Sequence, residues 1–157
     1  MNYQVWEKSV PPQIRGDAVW SLEAYRLSLF VADVGWHDAN ELAKHRRTIK
    51  MGGEMLEALG GVPAALARSV GRNVPGEAAL AREEALASAR AACGWYFQSR
   101  HVLGQEIIMH RVRILHFVMG WLKEQGAGSA TTTTATSDET VVPKDKLEAL
   151  LQTVPLP

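Results

Sequence analysis

The sequence has one cysteine, Cys93, in 157 residues. No internal disulfide can form, and cysteine-rich zinc sites are excluded. Flanked by Ala92 and Gly94, Cys93 is expected to serve as a small apolar side chain rather than a reactive thiol. Net charge is also missing, since 17 basic side chains balance 17 acidic ones. That argues against a strongly electrostatic nucleic-acid binder while leaving room for a local patch. Nowhere is there a run of about eighteen uninterrupted apolar residues. The first residues, Met1-Asn-Tyr-Gln-Val-Trp-Glu-Lys8, lack the basic-then-apolar order of a secretory leader. A cytoplasmic protein with no membrane contact is the expectation.

Catalytic punctuation is equally sparse. No Gly-x-Ser-x-Gly elbow, phosphate loop or dinucleotide fingerprint occurs. Carboxylate-bridged di-metal bundles need Glu-x-x-His pairs, whereas Glu41 and His45, and Glu106 and His110, stand four apart. His37, Glu41 and His45 along one strip could in principle hold a metal, but a solvated face or polar contacts between subunits explain them better. The expectation is a protein that is not an enzyme and takes no cofactor and no metal.

What is present is a hydrophobic share of 46%, enough for one packed domain with a tail. Nothing alternates with a strand's period of two, and glycine and proline cut the chain into four helical segments. The reading is all-α: an antiparallel up-down four-helix bundle over 17–125, an extended N-terminal lead over 1–16, and a flexible C-terminal tail over 126–157. Pro11-Pro12 closes the lead, and Asp17 caps a first helix to about Lys44. A second helix runs from about Thr48 to Arg72, with a kink or short break expected at Gly60-Gly61-Val62-Pro63. A third follows the Asn73–Gly76 turn to about Leu103, and a fourth runs from Gly104 to about Gln125.

The first helix carries two apolar faces. Trp20, Ala24, Leu27, Val31 and Val34 form one stripe; Leu22, Tyr25, Leu29, Ala32, Trp36 and Ala43 form a second. Together they span roughly twice the arc of about 100° that a surface helix needs. Either the helix is central in a monomer or the second face is a subunit interface. The interface is preferred, because bundle helices keep one face to solvent and five tryptophans exceed the needs of a small core. Leu22, Tyr25, Leu29 and Trp36 are the candidate oligomer-interface residues.

Basic residues gather near the helix ends: Lys44, His45, Arg46, Arg47 and Lys50 at the first junction, Arg68 and Arg72 one turn apart at the end of the second helix, and Arg100, His101, His110, Arg111 and Arg113 around the last junction. Complementing helix dipoles suffices to explain them in a monomer. Repeated around an oligomer, the same residues become a phosphate-contacting surface. Lys44, Arg46, Arg47, Lys50, Arg72 and Arg100 are the candidate RNA- or DNA-binding residues. A partner protein bound without nucleic acid is the alternative. From Gly126 the composition turns to Gly, Ala, Ser and Thr, too poor in apolar residues to order itself. Beyond it, Pro143 to Gln152 can form a short amphipathic turn with Leu147, Leu150 and Leu151 on one side, which either frays or docks; fraying is preferred.

Several segments, taken in order, resemble a bacterial family of four-helix-bundle proteins first recognised as products of intervening sequences in large-subunit ribosomal RNA genes. The likeness spans about Trp6 to Gln125. It is carried by Trp20-Ser-Leu-Glu-Ala-Tyr-Arg-Leu27, Arg46-Arg47-Thr48, Ala85-Leu-Ala-Ser-Ala-Arg90, Trp95-Tyr96 and Arg100-His-Val-Leu-Gly104. The resemblance implies an antiparallel bundle assembled as a homopentamer, without enzymatic activity and with a suspected role on nucleic acid. The accessory protein of diversity-generating retroelements is similar in fold. Family members read Pro-Ala-Asn-Ile-Ala-Glu-Gly in the second helix; this chain reads Pro63-Ala-Ala-Leu-Ala-Arg-Ser69, with Ala65 and Arg68 in place of the polar pair. Only Arg72 carries over from that motif.

Overall fold

In a computed structural model, residues 2–127 and 143–157 are described, and among them there are helices and no strand. Seven α-helices follow in order: α1 Tyr3–Ser9, α2 Pro12–Arg15, α3 Glu23–Ala43, α4 Ile49–Ser69, α5 Pro75–Gln98, α6 Gln105–Ala127 and α7 Lys144–Gln152. Single 3-10 turns lie at Ala18–Ser21 and Ser99–His101. The protein is all-α, and none of the described helices is long and apolar enough to cross a membrane.

The four long helices meet in a closed cycle, α3 on α4, α4 on α5, α5 on α6 and α6 on α3. Close approaches fix the directions. The Cα side of Gly35 faces Leu59 while Gly52 faces Ala39 and Leu42, so α3 and α4 run oppositely. Gly61 faces Ser88, and Arg68 reaches Glu84, so α4 and α5 do too. The core between them is mostly aliphatic, with Phe30 and one enclosed phenol: Leu27, Phe30, Val31, Val34, Leu42, Met55, Leu59, Leu66, Tyr96, Ile114 and Leu115 are all essentially inaccessible.

Of the extended lead expected over 1–16, Tyr3–Ser9 and Pro12–Arg15 are instead helical. Asn2 caps α1 by accepting from the Val5 N–H at 2.9 Å. Tyr3, Trp6 and Val10 recur at helical spacing and lie against the core. Trp6 meets Phe30 edge-on at 5.1 Å and donates its indole N–H to Asp33 at 2.9 Å, which supplies both an apolar seat and a partner for its polar atom.

The first long helix also starts later than expected. Asp17 does cap, accepting from Val19 N–H at 3.0 Å, but only the 3-10 turn; Leu22 is extended before α3 begins. Arg26 explains the interruption locally, because its Nη1 takes the Trp20 carbonyl at 2.6 Å. In α4 no break occurs at Gly60-Gly61-Val62-Pro63: the helix is continuous through Pro63, which is fully buried with Val62. Losing one backbone bond there is offset by burial of the ring.

The flexible tail is a further correction. Residues 143–157 dock: α7 packs on α1 and α6, and Leu147 and Val154 are 3% and 7% exposed within the main core. The Thr-rich stretch 128–142, expected as a linker, lies outside the described residues.

Candidate functional site

The turn from α3 to α4 is built by Thr48, whose hydroxyl donates to the Leu42 carbonyl at 2.7 Å and whose N–H donates to His45 at 2.9 Å. This folds five residues tightly and turns Lys44, His45, Arg46 and Arg47 outward; all four are exposed, as is Lys50 in the first turn of α4. Lys44 pairs with Glu41. Arg46, Arg47 and Lys50 have no carboxylate within ion-pair distance among the described residues. Residues 44–47 sit at the C-terminal end of α3, where a cation complements the dipole. Lys50 does not: it lies at the N-terminal end of α4, which has no acidic residue in its first turn and no side-chain cap. The dipole explanation covers four of these five residues and fails for Lys50.

The other two candidate cations are differently placed. Arg72 is in the α4–α5 connection, at the opposite end of the helices, held by Glu77 at 3.1 Å and by the Arg68 carbonyl at 2.8 Å. Arg68 itself pairs with Glu84 at 2.6 Å. Arg100 shares the end of the α3–α4 turn, with its guanidinium 4.3 Å over the Phe97 ring and donating to the Phe97 carbonyl. The structure therefore groups Lys44, Arg46, Arg47 and Lys50, puts Arg100 at their end, and separates Arg72.

Along the outer face of α3, Tyr25, Leu29 and Ala32 are half-buried, as is Leu22 just before the helix, and Trp36 is 57% exposed. Their spacing makes one continuous helical stripe. Part of the second apolar face is covered from within the chain, since Trp6 and Trp20 stack at 6.4 Å and Trp20 meets Tyr25 edge-on. Trp36, one turn beyond, is left in solvent.

A polar constellation that sequence reading missed lies inside the helices at the same end. Asp38 and Arg111 are both fully enclosed and doubly bonded, Nε to Oδ2 at 2.9 Å and Nη2 to Oδ1 at 3.1 Å. Tyr96, also enclosed, donates to Asp38 Oδ2 at 2.8 Å. Burial first, then the Asp38 charge, raise the Tyr96 phenol well above its usual range. The docked tail completes the set: Arg111 Nη2 donates to the Pro155 carbonyl at 2.7 Å, Arg111 Nη1 reaches His110 Nδ1 at 2.8 Å, and His110 Nε2 meets the Leu150 carbonyl at 2.8 Å. His110 and Arg111 are thus interior groups rather than part of a phosphate-facing patch. A signal was there to find: Asp38 continues the stripe of Leu27, Val31 and Val34, and Arg111 sits between Ile108 and Leu115 on the buried face of α6. A charge of each sign at core positions calls for a partner.

Beside this cluster, a cleft of about 720 Å³ between α6 and the tail is lined by Glu106, Met109, His110, Arg113, Lys146 and Leu150, among others. Among the described residues no group of His, Cys, Asp or Glu is placed to hold a metal. Cys93 is half-buried, and burial pushes its thiol up to about 11. No family model, curated protein or solved structure matches the chain.

Proposed function

We propose that this chain is a non-enzymatic, cytoplasmic, self-assembling protein, an antiparallel up-down four-helix bundle of the intervening-sequence type. In this reading its α3–α4 turn, repeated around a homo-oligomer, engages the phosphate backbone of RNA or DNA. The observation carrying the reading is the turn itself: Arg46, Arg47 and Lys50 are exposed and have no carboxylate partner among the described residues, and Lys50 stands where a helix dipole disfavours a cation. Assembly is supported by the α3 stripe, which leaves Trp36 in solvent at the end of a row of half-buried apolar side chains. The number five comes from the family resemblance alone.

The apolar stripe runs along α3 and the basic turn follows directly from its C-terminal end, so assembly through the first spaces copies of the second regularly. Weak contacts to phosphate then add through multivalency despite zero net charge. A protein-interaction scaffold without nucleic acid is the second reading, favoured by the internal engagement of Arg68, Arg72 and Arg100.

The test combines mass and binding. Native mass spectrometry gives subunit number, and binding of a structured RNA and a DNA duplex is measured at low and moderate salt. The expected result is an oligomer that binds with a steep salt dependence and loses binding, but not assembly, when Arg46 and Arg47 are both changed to Glu. An oligomer that binds neither polymer at low salt moves the scaffold reading to first place. A monomer at micromolar concentration ends both.

A further inference from the structure

We propose that residues 143–157 form a latch, held shut by the neutral ring of His110 and opened by acid. The inference is independent of assembly and of nucleic-acid binding.

The chemistry of the two contacts fixes the state of the ring. A guanidinium can only donate and a backbone carbonyl can only accept. His110 stands between one of each, with Nδ1 at 2.8 Å from Arg111 Nη1 and Nε2 at 2.8 Å from the Leu150 carbonyl. Only the neutral tautomer carrying its proton on Nε2 satisfies both. A second proton, on Nδ1, would set N–H against N–H and place a positive charge beside the guanidinium. Turning the ring over does not help, because both nitrogens of an imidazolium donate.

Arg111 cannot yield. Asp38 holds it by two bonds in a fully enclosed site, and Tyr96 holds Asp38 in turn. The tail is the movable partner. It is seated by Leu147 and Val154 and by two backbone carbonyls, of Leu150 and Pro155, both of which end on the His110–Arg111 pair. Expelling the ring removes the first carbonyl's donor directly.

The charged groups around His110 oppose a second positive charge on balance. On α6, Arg111 touches the ring, and Arg113 and Glu106 share the cleft with it; α3 contributes Asp38 and α7 contributes Lys146. The Asp38 oxygens are already taken by Arg111 and Tyr96. Burial first, and the Arg111 charge after it, hold His110 below its ordinary 6.5, against the opposite pull of the Leu150 carbonyl and Asp38. A ring freed into water returns to the ordinary value, so the open form binds more protons than the latched one. The latch is therefore fully closed above about pH 6.5 and weakens as pH falls below it.

Hydrogen exchange on the full-length protein tests this from about pH 8 to about pH 5, with rates corrected for the intrinsic pH dependence of exchange. Protection of amides 144–154 should fall by about tenfold or more across the acid side of the range, while α3 to α5 stay protected. His110→Gln should hold the tail at every pH, because its amide offers an oxygen to Arg111 and an N–H to Leu150 and does not titrate. Flat protection of the tail in the unaltered protein, or a surviving acid transition in His110→Gln, overturns the proposal. Ring-nitrogen NMR of the unaltered protein is a second arm that needs no variant. It should show a neutral Nε2–H ring titrating below 6.5 together with the tail amides. A neutral Nδ1–H ring, or tail amides moving at a different midpoint, also overturns it.

Discussion

Arg111 and Asp38, from the first turns of α6 and the last turns of α3, share two hydrogen bonds of 2.9 and 3.1 Å with neither side chain exposed to solvent. An enclosed pair of this kind is costly to break from one side, since the survivor is an uncompensated buried charge. Asp38→Ala or Arg111→Ala should each lower stability by about 3–5 kcal/mol in chemical denaturation. Changing both to apolar residues of similar size should recover most of the loss. A double variant as damaged as either single would show that the pair contributes more than mutual neutralisation. Tyr96→Phe, which deletes one hydrogen bond to a charged acceptor, should cost about 1.5–3 kcal/mol.

Tail docking makes the C-terminus a stability element, whereas the flexible, frayed tail expected from the sequence would be dispensable for folding. Ending the chain after Val142 removes Leu147 and Val154 from the core and takes two carbonyl acceptors from Arg111 and His110. Offset by the entropy of freeing the segment, the net loss should be about 1–3 kcal/mol. Thermal melts of the shortened and full chains would measure it. Equal melting temperatures would return the tail to the dispensable role.

Gly35 is pressed by its neighbours. A Cβ there would lie 2.3 Å from Leu59 Cδ1 and 3.3 Å from the Tyr96 hydroxyl. Gly35→Ala should cost about 1–3 kcal/mol through overpacking, even after the gain in helix propensity. Gly53, on the exposed side of α4, has nothing within 4 Å of the same added atom. Gly53→Ala should therefore stabilise by about 0.5–1 kcal/mol. Denaturation midpoints of opposite sign are the expected outcome; a stabilised Gly35→Ala would mean that Leu59 repacks freely.

Cys93 should be a slow thiol. Its value of about 11 against an ordinary 9.0 reduces the thiolate fraction at pH 8 by roughly a hundredfold. Because a more basic thiolate is also more nucleophilic, alkylation of the native protein should lag a free thiol by about tenfold or more and become fast in denaturant. Rapid native alkylation would mean that α5 exposes the residue more than half-burial implies.

The sequence by itself determined the all-α class and the approximate extent of the long helices, because apolar spacing and Gly or Pro punctuation are local signals; the start of α3 at Glu23 and the end of α5 at Gln98 departed from the expected Asp17 cap and Leu103. Helix α4 illustrates the limit. Gly60, Gly61 and Pro63 argued for a kink or a short break; no break occurs, and Val62 and Pro63 are buried in a helix that runs on. The α3–α4 cluster of Lys44, Arg46, Arg47 and Lys50 was legible because four residues on one turn stay together in any fold. Arg72 and Arg100 were not assignable, since only the opposite directions of adjacent helices decide which end each connection occupies. The N-terminal helix was missed, and docking of the tail was placed second to fraying, because short segments are marginal alone and are ordered by what they touch: Trp6 by Phe30 and Asp33, Leu147 and Val154 by the core. Asp38 and Arg111 stand 73 positions apart. Each was visible as a charge on an apolar face, but that one answers the other, and that the tail closes over both, was decided only where α3, α6 and residues 143–157 meet.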